Sequence, residues 1–126
     1  MTYAQTAHKT YARPEAPMRS ARSIEYDILA RTTQRLTAAA RRKSEDFAGL
    51  VAALHDNQRL WSTFAADVAD DDNGLPQALR ARLFYLFEFT VTHSRNILDG
   101  RGSVDVLVDI NTAVMRGLRG DMGGAA

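Results

Sequence analysis

With 126 residues, 45% of them apolar and 25% charged, the chain has the size and composition of one globular domain with a single modest core. It contains no cysteine, which excludes a disulfide framework and any thiolate metal site, and no apolar run approaches the ~20 residues that cross a bilayer. The net charge of +1 is unevenly spread: residues 1–43 hold nine Lys/Arg against three acids, and residues 44–126 hold seven against twelve. A basic first helix beside an acidic body is the plainer account, because nucleic-acid footprints are basic across a whole domain. The opening Met1–Thr6 lacks a charged and apolar leader pattern, so the protein is expected to stay in the cytoplasm.

The expected fold class is all-α: a small single-domain bundle of about four helices. Residues 1–19, with Pro14 and Pro17, read as a flexible or docked N-terminal arm anchored by Tyr3 and Tyr11. The helical domain spans residues 20–118. Its first helix runs from about Ser20 or Ser23 to Arg42, with Ala21, Ile24, Ile28, Thr32, Leu36 and Ala39 on one face. Arg41, Arg42 and Lys43 lie in the last turn, where positive charge meets the negative end of the helix dipole. Ser44 is the expected N-cap of the second helix, ahead of Glu45 and Asp46 in its first turn. The apolar stripe of that helix includes Phe47, Leu50, Val51, Leu54, Trp61, Phe64, Ala65 and Val68. It stops at Asp70–Gly74, a turn signal followed by Pro76 at a first helical position.

The third helix, from Pro76 to Leu98, covers about 35 Å at ~1.5 Å per residue. It carries two apolar stripes, Leu79/Leu83/Leu86/Thr90/Ile97 and Phe84/Phe87/Val91/Leu98, which together exceed the width of an ordinary surface helix. Either neighbours pack on both sides, or the Phe84/Phe87/Val91 stripe faces a partner. Gly100 and Gly102 break the helix, and Ser103 caps a fourth. That helix places Val104, Leu107, Val108, Val114, Met115 and Leu118 on one face and is expected to fray at Gly117 and Gly120. Residues 119–126 read as a disordered tail.

The patterns that carry chemistry are weak. The run Asp70-Asp71-Asp72-Asn73-Gly74 has no frame with the glycine and glutamate of a calcium loop. His8, His55 and His93 are isolated, so neither a metal nor another cofactor is expected. Gly100-Arg101-Gly102 follows no strand, and Glu25, Asp67 and Glu88 form no acid–base pair in sequence. The chain is therefore not expected to be an enzyme. Asn57 and Asn111 fall on apolar stripes, where a buried amide is costly unless hydrogen-bonded; each is expected to have a structural partner. Trp61, the lone tryptophan, is expected in the core with an acceptor for its indole N–H.

The run Asn57-Gln58-Arg59-Leu60-Trp61-Ser62 leads through Asp67 to Leu75-Pro76-Gln77-Ala78-Leu79-Arg80-Ala81. It continues through Val91-Thr92-His93-Ser94 to Asp109-Ile110-Asn111-Thr112-Ala113-Val114-Met115-Arg116-Gly117-Leu118. In order and spacing these segments resemble the FlaF family of flagellar biosynthesis proteins of alphaproteobacteria, over residues 20–118. Arg41-Arg42-Lys43 and the glycine-rich tail are less family-like and inherit no role.

The resemblance implies a non-enzymatic protein of flagellum biosynthesis that binds flagellin. It would act as a cytoplasmic secretion chaperone and regulator of flagellin synthesis and export, alongside an FlbT-like regulator. A helix-in-groove mode suits it, since unassembled flagellin exposes amphipathic terminal helices. The expected partner surface is Phe84, Phe87 and Val91, with Leu60 or Phe64 at its edge. The alternatives are a post-transcriptional regulator whose basic N-terminal half meets flagellin mRNA, and an adaptor that touches only the FlbT-like regulator. A homodimer burying the wide third helix is also open.

Overall fold

The computed structural model describes the backbone of residues 15–122 and the side chains of residues 25–119. Four helices follow one another: α1 (Glu15–Arg41), α2 (Phe47–Ala69), α3 (Gln77–Leu98) and α4 (Val104–Met122). No strand interrupts them among the described residues, and the class is all-α. Tyr3, Tyr11 and His8 lie outside the described residues.

Helix boundaries depart from the sequence expectation where caps decide them. α1 starts at Glu15, earlier than Ser20 or Ser23. Pro17 sits in its first turn, where the N–H that proline lacks has no intrahelical acceptor anyway. α2 is capped by Asp46 rather than Ser44: the Asp46 carboxylate accepts from the Gly49 N–H at 2.9 Å. The chain is still turning at Ser44, because Glu45 and Asp46 N–H both donate to the Arg42 carbonyl. α3 ends where expected, with Gly100 at φ 79°, a left-handed position that glycine takes without a Cβ clash. Ser103 Oγ accepts from the Asp105 N–H at 3.0 Å and starts α4. α4 does not fray at Gly117 but runs on to Met122, and Arg119 holds its last turns against α1 through the Tyr26 hydroxyl and ring face.

Short loops make successive helices antiparallel, and the pairing closes a ring. α1 packs on α2 and on α4, and α2 packs on α3, whereas α3 and α4 touch far less. Contacts fall into layers along the bundle. At the end that holds the α1–α2 and α3–α4 turns, Leu36, Leu50, Ala53, Leu54, Ile97, Val104 and Leu107 form a closed apolar core. A polar layer of Thr33, Asn57, Trp61 and Asn111 crosses the middle, all four buried. Beyond it lie the buried Leu29, Ala65 and Val68, and there the α3–α4 side of the ring stands open.

Candidate functional site: a groove between the third and fourth helices

The open side follows from how each wall is fastened. At the closed end, His93 Nε2 lies 2.9 Å from the Ser103 carbonyl oxygen, and its ring stacks on Phe89 at 5.3 Å. Gly102 makes that approach possible, since a Cβ there would come within 2.9 Å of the imidazole. At the other end each wall is tied to its outer neighbour instead. Arg80 of α3 donates from Nε to the Val68 carbonyl at 2.8 Å and from Nη2 to the Asp70 carbonyl at 3.0 Å, capping α2. The end of α4 is held to α1 by the Arg119–Tyr26 pair. So α3 and α4 meet at one end and stand apart at the other.

The space between them is a groove of about 600 Å³. Leu79, Leu83 and Leu86 form its α3 wall, one above another at i, i+4 and i+7. Ile110, Ala113, Val114, Gly117 and Leu118 form its α4 wall. Asn73, Gly74 and Leu75 of the α2–α3 loop line its mouth, and Glu25 and Arg82 bring the charged groups. The lining is therefore mainly apolar, and Leu79 remains 40% exposed. Such a surface is suited to burying the apolar face of another helix.

Beneath the groove the polar layer fixes the helices against one another. Asn111 Oδ1 accepts from the Trp61 indole N–H at 2.9 Å, and Asn111 Nδ2 donates to Asn57 Oδ1 at 2.8 Å and to Thr33 Oγ1 at 3.1 Å. The Thr33 hydroxyl in turn donates a hydrogen bond to the Leu29 carbonyl at 2.7 Å. One amide thus links α1, α2 and α4. Asn57 Nδ2, Thr90 Oγ1 and Ser94 Oγ are also buried but make no hydrogen bond.

The residues expected to meet a partner lie outside the groove lining. Phe84 and Phe87 stand together at 5.8 Å between ring centroids, and Phe84 is 39% exposed. Val91 is half-buried on the same stripe. Phe64 packs edge-on against Trp61 at 5.4 Å, and Leu60 is half-buried on α2. No ring contact joins the Phe84/Phe87 pair to Phe64 among the described residues. The groove instead uses the first stripe of α3, whose Thr90 and Ile97 go into the core while Leu79, Leu83 and Leu86 do not. The signal for this in the sequence is faint: Ala113 and Gly117 leave too little side chain on α4 to cover those leucines.

At the far end of α2, burial and then the neighbouring Asp70 carboxylate push the Asp67 carboxyl above its ordinary value of 3.8. Asp67 also supplies the carbonyl that accepts from Asn73 Nδ2 at 3.0 Å. No group of three or more His, Asp or Glu side chains is gathered as a metal site among the described residues. Among the described residues, no helix is long and apolar enough to cross a membrane.

Fold and groove together define a small all-α bundle closed at one end and open along one apolar side at the other. The family model described as "Flagellar protein FlaF" matches residues 7–118, and the chain belongs to that family. Comparison with curated proteins and with solved structures gave no match.

Proposed function

We propose that this flagellar protein binds flagellin, acting in the cytoplasm as a chaperone for its secretion and as a regulator of its synthesis and export. The observation that supports this reading is the open apolar groove between α3 and α4. Residues 79–86 rise about 11 Å along α3 and residues 110–118 about 12 Å along α4, at ~1.5 Å per residue. That length accepts roughly two turns of a partner helix at ~5.4 Å each, enough for anchors at i, i+3 or i+4, and i+7. An amphipathic terminal helix of unassembled flagellin would bury its apolar face there and be kept from pairing prematurely. Phe84, Phe87 and Val91 offer a second apolar strip for a longer segment of the same partner, with Leu60 and Phe64 as candidate edge contacts.

The test is titration of purified monomeric flagellin into the protein, at low and high salt. An apolar seat predicts a complex that survives salt and forms with a negative heat-capacity change. Leu83→Asp should weaken it at least about tenfold, from the cost of an unpaired charge in a buried apolar contact, and should leave the fold intact. If Leu83→Asp binds normally while Phe84→Ala and Phe87→Ala do not, the phenylalanine strip is the seat. Loss of folding in either alanine variant would place that residue in the core.

A second reading is favoured by the exposed cations of α1 and its turn: Arg31, Arg35, Arg41 and Lys43. In that reading the protein contacts flagellin mRNA as a post-transcriptional regulator, and its affinity falls steeply with salt. A protein that binds neither flagellin nor its message would instead be an adaptor to an FlbT-like regulator.

A further inference from the structure

Among the described residues, nothing in the free protein gives Gly117 a structural reason to be a glycine. It sits inside α4, five residues before the helix ends at Met122, so it is not a C-terminal cap. Among the described residues only Gly100 takes a positive φ, so Gly117 adopts a conformation open to any residue. A Cβ built on it meets nothing within 4 Å, whereas Gly102 is hemmed in by His93 and Gly49 by Asp46. The two usual structural reasons for a glycine, a left-handed backbone and a crowded neighbour, are both absent. A glycine in a helix interior nevertheless costs stability relative to alanine, through backbone entropy.

The open space in front of Gly117 is the groove itself. Across it stand the α3 leucines, and among the described residues no side chain fills the gap. A glycine on the wall of a groove lets whatever enters come down onto the bare backbone of α4, closer than any side chain permits.

We propose that Gly117 is the residue that sets how closely the partner helix approaches α4, and so selects a partner by the depth at which it docks. The assignment rests on the flagellin-binding reading of the groove and goes further, to a specificity-determining position. A segment with a bulky residue directed at α3 and its backbone or a small residue laid on α4 fits this geometry. One held off α4 by large side chains on both faces does not.

The experiment pairs thermal unfolding with binding of purified monomeric flagellin, for the full chain and for the variants Gly117→Ala and Gly117→Leu. Gly117→Ala should raise Tm, by about 4 °C for a chain of this size, while weakening flagellin binding by about tenfold. Gly117→Leu should weaken it further. A lower Tm in Gly117→Ala would overturn the assignment, because the glycine would then serve the fold. A higher Tm with unchanged binding overturns it as well, and if Gly117→Leu alone is impaired, the groove is the seat but the partner stands off α4. A wild-type chain that takes up no flagellin sinks the flagellin reading, and this assignment with it.

Discussion

Asn111 satisfies three partners with one side chain, and its position explains why an amide is tolerated among Leu107, Val114 and Leu118. Its carbonyl oxygen answers the indole N–H of Trp61, and its two amide protons reach Asn57 and Thr33. Truncation would orphan the indole N–H and the Asn57 carbonyl inside the bundle, and each buried polar group left unpaired costs ~1–3 kcal/mol. Asn111→Ala should therefore destabilise the protein by about 3 kcal/mol, measured as a lower urea midpoint at unchanged slope. A loss of a few tenths would mean the layer is carried by packing alone. That Asn57, Trp61 and Asn111 needed partners is legible in the sequence, because a buried amide or indole on an apolar stripe implies one. That they partner each other is not: Trp61 and Asn111 lie 50 positions apart, and Asn111 and Thr33 lie 78.

At the scale of elements, periodicity and turn residues account for the four helices and most of their ends. Two of the misplaced ends are decided by a single hydrogen bond or a distant contact: Asp46 in place of Ser44, and the continuation of α4 past Gly117 with Arg119 seated on Tyr26. The third, the start of α1 at Glu15, comes ahead of Pro17, which a first turn accommodates. The candidate site was legible only in part, since the double stripe of α3 announces surplus apolar surface without saying which stripe stays uncovered. That choice is made by α4, whose Ala113 and Gly117 leave the leucines open, and by clasps that tie each wall outward. One of those clasps is the α2 C-terminus, where Arg80 holds two carbonyls and Asp67 stands beside Asp70. The Asp67 carboxyl is raised above its unfolded value, so its ionised form is disfavoured in the folded state. The protein accordingly gains stability as pH falls through the raised value, and the gain is complete below about 3.8. Asp67→Asn removes the penalty. Its Tm should exceed that of the wild type at pH 7, and the difference should vanish by the acid end of a pH series. A difference that persists at low pH would assign the effect to something other than ionisation.

For the whole molecule, a closed apolar end and an open grooved end imply unequal local stability. Amides open most readily where few buried apolar contacts surround them. Hydrogen exchange in the free protein should be slowest around Leu54, Ile97 and Leu107 and faster at Leu83 and Val114, with the fast set slowing on a bound partner. Uniform protection along α3 and α4 would contradict a groove that opens at one end. Among the described residues, Arg31, Arg35 and Arg41 are exposed on α1 and none of them lines the groove, so salt titration reports on one surface and apolar substitution on the other. The lone tryptophan adds an optical consequence. Trp61 is 0% exposed and sits in the polar layer between the two ends, so its emission belongs to a single known environment. A shift of its fluorescence toward the red marks water entering that layer, which makes the protein its own dye for telling a loosened groove from a melted bundle.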